Sequence, residues 1–194
     1  MPATLTPVSL RLTPEEYFDW ENAQEEKHEY IHGEVFPMSG ATREHVDIAG
    51  NVYVALRLAF RGTECAAFTS DMRVQVEPDG RYTYPDVSAV CGGATFLDAK
   101  KRTLTNPTLI VEVLSDSTET YDKGGKLDAY RSVPSIREVV FIRQDRRAAE
   151  VYRRGDDGRW TIEDVGGAGT LALASVGVDV PMDDVYEGTD VGGA

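Results

Sequence analysis

The chain has 194 residues, a formal net charge of −13 and two cysteines. Its average charge repels phosphate, which argues against a protein that coats nucleic acid without specificity. The length fits one domain with a core large enough to fold without disulfide bridges. We therefore expect a single domain over residues 1–187 and a flexible tail of small and polar residues over 188–194.

The amino terminus and the cysteines bear on the location of the protein. Residues 1–17 lack both the basic start and the apolar run of a signal peptide, and no later segment approaches the ~20 apolar residues that span a bilayer. Cys65 and Cys91 are isolated and form no C-x-x-C motif, so we expect both to be reduced and to pack as small hydrophobic residues. These features predict a cytoplasmic protein without membrane contact.

Hydrophobic periodicity and turn residues divide the chain into helices and strands. In chain order, we predict a short helix from Thr13 to about Asp19, a turn into a strand over Glu29–Met38, an amphipathic helix over Glu44–Phe60, strands over Ala66–Glu77, Tyr82–Cys91 and Thr108–Leu114, a helix over Ser117–Val133, a buried strand over Glu138–Ile142, and a hairpin of Ala148–Arg153 with Trp160–Val165. Pro78-Asp79-Gly80 predicts a tight turn between antiparallel strands. The helix before Glu138–Ile142 allows a parallel crossover. This order indicates an α/β (α+β) fold with a mixed β-sheet flanked by helices.

A short motif with the spacing of a zinc site overlaps the start of the first predicted strand. His28, Glu29 and His32 spell H-E-x-x-H, the spacing by which one helix face presents two zinc ligands and a general base. Gly33 weakens a helix here, and the surrounding residues favour a turn into a strand. The extended pattern with a third histidine is also absent. A zinc metalloprotease is therefore the minor alternative.

Two acidic residues interrupt strands that are otherwise apolar. Glu112 lies within the run Leu109–Leu114, and burial of a lone carboxylate costs several kcal/mol unless it is paired, neutralised or bound to metal. Asp86 follows Pro85 at the start of another apolar strand, so neighbouring strands could bring both acids to one sheet edge. A hard divalent cation such as Mg²⁺ would relieve their repulsion. Alternatively, Asp86 caps a turn and Glu112 pairs with an arginine or lysine.

Several of these segments resemble one protein family. Pro85-Asp86, the acidic strand Ile110–Ser115 and the stretch Tyr121–Tyr130 are similar to the Uma family of restriction endonucleases, a branch of the PD-(D/E)XK nuclease superfamily. His28–Glu34 resembles the first E-L-I-D-G-E strand of that family, and Ser70–Val74 resembles its next acidic strand. The similarity extends from about Thr13 to Tyr186. It implies a restriction-endonuclease-like fold over most of the chain.

The resemblance also implies a set of site residues. Asp86 and Glu112 would bind Mg²⁺ or Mn²⁺, with the peptide carbonyl of Val113 as a third ligand. The superfamily's lysine normally follows the glutamate by two residues, but Leu114 stands there. Either catalysis is lost, or a lysine from the next helix replaces it. Lys126 is the first candidate, and a pair with Asp122 is its structural alternative.

Further candidates surround this set. The second lysine is Lys123, and His45 and Asp71 are peripheral candidates, the first for phosphate binding or proton transfer and the second as a metal ligand or bend residue. Arg73 and Arg131 are candidates for substrate phosphate contacts, with surface exposure as the alternative. Residues 95–154 hold twelve Lys and Arg against nine Asp and Glu, so a local basic face is compatible with the acidic average.

These observations define three functional hypotheses. The first is a metal-dependent endonuclease that hydrolyses DNA phosphodiester bonds. The second is a catalytically lapsed nuclease fold used for binding, which Leu114 and the acidic charge favour. The third is the zinc protease. DNA is the expected partner, and a homodimer is compatible because two-fold dimers are the commonest assemblies and suit cleavage of two strands.

Overall fold

The computed structural model describes residues 6–77, 80–115 and 122–192 of the chain. The strands in this part of the chain are β1 Val8–Arg11, β2 His28–Ile31, β3 Glu34–Pro37, β4 Ala66–Thr69, β5 Arg73–Glu77, β6 Arg81–Thr83, β7 Val87–Val90, β8 Thr103–Leu104, β9 Leu109–Leu114, β10 Glu138–Arg143, β11 Ala148–Arg154, β12 Trp160–Gly166, β13 Thr170–Leu173 and β14 Val178–Pro181. The helices are α1 Pro14–Glu21, α2 Arg43–Ala59, α3 Leu127–Ser132 and α4 Met182–Val185. One π-helical turn, Asp122–Lys126, leads directly into α3.

Helices α1 and α2 begin where the sequence predicts helix starts. Thr13 forms a capping box with Glu16 at the start of α1, and the Thr42 side chain accepts a hydrogen bond from the His45 amide at the start of α2. Both predicted helices are confirmed within one or two residues at each end. The helix predicted over Ser117–Val133 is confirmed from residue 122 onward, and residues 117–121 lie outside the described residues.

The central sheet has the strand order β12-β11-β10-β9-β7-β4. Strands β9 and β10 are parallel, with Glu112 opposite Phe141, and the other pairs are antiparallel. A second sheet has the order β1-β3-β2-β6-β5-β8, and β13 pairs with β14. The parallel crossover and the mixed α/β architecture are therefore confirmed.

Two runs that the sequence predicts as single strands are each divided between the sheets. Strand β4 belongs to the central sheet and β5 to the second sheet, with a turn in which the Met72 amide donates to the Thr69 carbonyl. The second run breaks around Pro85, which has no amide hydrogen for a sheet ladder. The chain thus crosses to the second sheet and returns through β7. Asp86 lies at this return point. Of the predicted turn between β5 and β6, Pro78 and Asp79 lie outside the described residues.

Helices cover both faces of the central sheet. On one face, α2 and α4 pack against inward-facing residues of the sheet such as Val111 and Val113. On the other face, α3 packs against Ile110 and Leu114. Successive side chains of a strand point to opposite faces. Glu112 therefore belongs to the face that α3 covers.

The two cysteines form a disulfide bond, so the expectation of reduced cysteines is wrong. Strands β4 and β7 pair with Ala66 opposite Val90, which places Cys65 and Cys91 opposite each other just beyond the ladder. Their separation of 26 residues hid this pairing in the sequence. The cysteines therefore no longer support the predicted cytoplasmic location.

The C-terminal residues contact the rest of the domain as far as residue 192. The Gly188 carbonyl accepts a hydrogen bond from the Arg43 side chain, and Val191 packs against the core on the α2 face. Within the described ranges, no helix combines the length and the apolarity needed to cross a membrane.

The disulfide generates the first prediction. A bridge that closes a loop of this length contributes about 3 kcal/mol to the free energy of unfolding. We expect a reducing agent to lower the urea midpoint of the wild type, while the double variant Cys65→Ser/Cys91→Ser unfolds at the same urea concentration with and without the reductant. Titration of two free thiols per chain in protein purified without a reductant would contradict the bridge.

Candidate active site

The carboxylate of Glu112 is buried on the face of the central sheet that α3 covers. The residue is 4 % exposed. Its Oε1 accepts a hydrogen bond of 2.6 Å from the Tyr130 hydroxyl and lies 3.3 Å from the Lys126 Nζ. An ammonium group and a hydroxyl therefore offset the cost of burying this carboxylate.

Lys126 reaches Glu112 because the helix that carries it is anchored to the sheet. It is the last residue of the π-helical turn, and Leu127 and Tyr130, which follow on α3, are buried in the core beneath that helix. The side chain of Lys126 is itself almost completely buried. The structure thus brings together the two residues for which the sequence predicts a shared site, although the catalytic role of Lys126 stays a prediction.

A second carboxylate contacts the same ammonium group. Glu29 Oε1 lies 3.1 Å from the Lys126 Nζ, and Glu29 is as deeply buried as Glu112. Glu29 belongs to β2 of the second sheet, so Lys126 joins the two sheets. This contact of Glu29 with Lys126 was not predicted from the sequence, in which Glu29 belongs to H-E-x-x-H and to the stretch His28–Glu34. Its place among apolar residues of a strand, like that of Glu112, is the signal that could have revealed it.

The H-E-x-x-H motif does not form a zinc-binding helix. His28 begins strand β2, and its Nδ1 lies 3.1 Å from Glu21 Oε2 on α1. His32 lies in the following turn with a φ of 47°, and its Nε2 is 3.4 Å from Glu77 Oε2. The two histidines have separate carboxylate partners, and the premise of the zinc-protease hypothesis is wrong.

Asp86 immediately precedes β7, and Glu112 lies within the neighbouring strand β9. Strands β7 and β9 pair Val87 with Val111, and continuation of this register places Asp86 opposite Glu112. The Asp86 Oδ2 accepts a hydrogen bond of 2.7 Å from the Val113 amide. Its Oδ1 is 2.9 Å from His45 Nε2 in the first turn of α2. His45 therefore holds the Asp86 carboxylate in place. The sequence predicted His45 only as a peripheral candidate for phosphate binding or proton transfer.

The predicted ligand set fits a hard divalent cation in its donor chemistry. Asp86, Glu112 and the peptide carbonyl of Val113 would provide oxygen atoms alone, the donors that Mg²⁺ prefers. The Val113 amide already binds Asp86, which fixes this peptide beside both acids. Within residues 6–77, 80–115 and 122–192, no group of three or more His, Cys, Asp or Glu side chains is arranged to hold a metal ion.

Tyr130 acts as a hydrogen-bond donor to the site. Burial, together with the neighbouring Glu112 carboxylate, raises the pKa of Tyr130 well above its ordinary value. The hydroxyl therefore keeps its proton at every pH at which the protein would be assayed. Its role is to hold Glu112 rather than to exchange a proton.

The peripheral candidates lie in different environments. Asp71 is exposed in the turn between β4 and β5 and pairs with Lys27. Lys123 pairs with Glu150 on β11. Neither contact supports a role in the site that contains Glu112 and Lys126.

The two arginine candidates differ in exposure. Arg73 is 3 % exposed, and its guanidinium lies over the ring of Phe18 and donates to the Thr103 hydroxyl. This burial corrects the prediction that Arg73 contacts substrate phosphate. Arg131, by contrast, is exposed in the last turn of α3, where its guanidinium lies 5.6 Å from the centre of the Trp160 ring.

The mixed sheet, one acid just before β7, a second within β9 and a lysine in the helical turn before α3 are the arrangement expected of a restriction-endonuclease-like fold. Residues 14–182 match the family model Uma2, described as "Putative restriction endonuclease", and the chain belongs to this family. Two uncharacterized proteins of Synechocystis sp. are each 35% identical to it. For slr1290 the match covers 92% of this chain and 93% of the relative, and for sll1609 it covers 80% and 88%.

A solved structure supports the fold. The crystal structure of a putative nuclease belonging to DUF820 from Anabaena variabilis superposes with a TM-score of 0.71 at 18% sequence identity. The match covers 90% of this chain and 97% of that protein. At this identity, the similarity establishes the fold alone.

The shared ammonium group generates the second prediction. Lys126→Met would leave Glu29 and Glu112 buried without their common cation, and breaking a buried ion pair in this way costs about 3–5 kcal/mol. We expect that loss in the free energy of unfolding measured by urea denaturation, and a smaller loss when Glu29→Gln is added to Lys126→Met. Lys123→Met, whose ion pair is partly exposed, should cost less than ~1 kcal/mol. Equal stabilities of the two lysine variants would refute the shared pair.

Proposed function

We propose that the protein is a metal-dependent endonuclease that hydrolyses DNA phosphodiester bonds. Asp86 and Glu112, with the Val113 carbonyl, would bind Mg²⁺ or Mn²⁺, and Lys126 would stabilise negative charge on the phosphate. The observation that carries this proposal is the distance of 3.3 Å between the Lys126 Nζ and Glu112 Oε1. Lys126 would thereby replace the lysine expected at the strand position of Leu114, which is buried in the core. Membership of the Uma2 family supports the same chemistry.

Each residue of the site has a separate task in this proposal. Lys126 presents a positive charge next to the site of reaction, which stabilises charge that develops on the phosphate in the transition state. Tyr130 and Lys126 orient the Glu112 carboxylate, and His45 and the Val113 amide orient that of Asp86. The bound metal would polarise the phosphate and lower the pKa of a water molecule.

Carboxylates contact the ammonium group of Lys126 from two strands. Those of Glu29 and Glu112 are both buried beside it. A divalent cation beside Glu112 would add a positive charge next to these carboxylates. Glu29 would then keep Lys126 in position while Glu112 binds the metal.

Among the site residues, only Leu114 favours the alternative that the protein is a catalytically inactive nuclease fold. In that case the fold would bind DNA without cleaving it. A homodimer also stays a prediction from the sequence, and it would bring two sites to the two strands of a duplex.

Cleavage assays test this function. We expect the protein to cleave plasmid, single-stranded DNA or both in Mg²⁺ or Mn²⁺ and to stop in chelator, and Asp86→Asn or Glu112→Gln to lower the rate at least about 100-fold, the scale of a lost transition-state contact. Asp164→Asn, on the exposed side of β12, is the matched control and should cleave at the wild-type rate. RNA serves as a comparison substrate.

Two results would overturn the proposal. Cleavage that persists in chelator would exclude the metal mechanism, and wild-type rates for both site variants would exclude these ligands. DNA binding without cleavage in either metal would favour the lapsed nuclease.

A further inference from the structure

A group of arginines surrounds one tryptophan at the end of α3. Arg154 ends β11 and lies opposite Trp160, the first residue of β12, and its guanidinium is 4.9 Å from the centre of the tryptophan ring. Arg131 contacts the same ring from α3. Arg137 lies beside them, because the Arg154 amide donates to the Arg137 carbonyl. We name Arg131, Arg137, Arg154 and Trp160 the arginine–tryptophan patch.

The positive charge of this patch is poorly compensated. Arg154 donates to the backbone carbonyls of Arg131 and Pro134, which are neutral, and its Nε is buried without a hydrogen-bond partner in the described part of the chain. No carboxylate lies within ion-pair distance of Arg131 or Arg154 among the described residues. Arg137 pairs with Asp156, which is fully exposed, and such pairs contribute little.

The surroundings of Arg154 disfavour its positive charge. Burial, and then the charges of Arg137 and Arg131, lower the pKa of Arg154 from its ordinary value. A lowered pKa means that the surroundings disfavour the positive form. An anion at the patch would reverse this effect, because it would stabilise all three guanidinium groups.

The patch lies on the same face of the central sheet as the candidate active site. Trp160 packs against the core that α3 covers, where Glu112 also lies. Arg131 follows Lys126 by five residues, or about 7.5 Å along the helix axis. Arg154 lies beside Arg137. Arg137 precedes Phe141, the residue opposite Glu112, by four residues, or about 13 Å along the strand. These separations correspond to roughly two to four nucleotides of one DNA strand.

We propose that the arginine–tryptophan patch binds the phosphate backbone of the DNA strand that passes through the candidate active site. This inference rests on the proposed function and adds to it a second contact outside the catalytic group. Trp160 holds the guanidinium groups by cation–π contacts and so orients them before the strand binds. Arginine suits the role because its planar fork donates two hydrogen bonds to one phosphate.

A structural role for Arg154 accounts for only part of these observations. Its bonds to the carbonyls of Arg131 and Pro134 hold the end of α3. They do not account for the exposed guanidinium of Arg131 or for the position of Arg137. For this reason the test uses Arg131 and Arg137, whose replacement leaves those carbonyl contacts in place.

Binding measured without cleavage tests the inference. Fluorescence anisotropy of labelled single-stranded and duplex oligonucleotides is recorded in chelator from 50 to 200 mM salt. We expect Arg131→Gln/Arg137→Gln to weaken binding about tenfold or more at low salt and to reduce the slope of log affinity against log salt by roughly two, one for each lost phosphate contact. Arg154→Lys keeps the charge and should bind more tightly than Arg154→Gln.

The matched control carries the same substitutions on the other face of the sheet. Arg57 and Arg61 are exposed at the end of α2, and Arg57→Gln/Arg61→Gln should bind DNA as the wild type does. Thermal unfolding of every variant separates lost binding from lost folding. Equal weakening by both double variants would show a general charge effect and overturn the patch, and so would wild-type affinity of Arg131→Gln/Arg137→Gln or the absence of salt-dependent binding by the wild type.

The outcome is separable from that of the proposed function. If Arg131→Gln/Arg137→Gln loses DNA binding and the wild type leaves the plasmid uncleaved in both metals, the patch is supported and catalysis is refuted. Metal-dependent cleavage with unchanged binding in this variant would do the reverse.

Discussion

The ammonium group of Lys126 is the constraint on which the site depends, because it lies between carboxylates of two different sheets. Glu29 comes from β2 of the second sheet, and Glu112 from β9 of the central sheet. Two buried carboxylates at this distance from one cation would repel each other if the cation were removed. The approach of the two sheets and the position of α3 are therefore coupled to a single side chain.

Contacts behind this pair hold its members in place. His28, the residue before Glu29, donates its amide to Glu21, and its carbonyl accepts from the Tyr17 hydroxyl. Glu21 also accepts from the Tyr84 hydroxyl, whose pKa rises to about 12 because the group is buried. Since neighbouring side chains of a strand point to opposite faces, this network directs Glu29 toward Lys126. His28, the first histidine of the H-E-x-x-H motif, thus has a structural role in the N-terminal region, rather than a role as a metal ligand.

The sequence predicted those features that depend on local periodicity or on the cost of burying charge. Helix α2 and the parallel pair β9 and β10 follow from such signals, whereas the choice of Lys126 as a partner of Glu112 followed from the family resemblance. The contacts of Glu29, the disulfide bond and the burial of Arg73 do not, because each joins segments whose relative position depends on how the chain crosses between the two sheets. That crossing occurs at Ser70–Met72 and at Pro85, where the sequence suggested uninterrupted strands.

The acidic average of the chain and the proposed DNA contact are compatible, because attraction between exposed charges acts over about one Debye length, ~8–10 Å at moderate salt. A net charge of −13 repels a duplex that approaches most of the surface. At the end of α3 the sign is reversed locally by Arg131, Arg137 and Arg154, whereas the charge of Lys126 is buried between Glu29 and Glu112. On the proposed function, a DNA strand would be attracted to the face of the sheet that carries Glu112. On the proposed function, the acidic surface therefore restricts the orientation in which DNA approaches, while the local arginines supply the affinity.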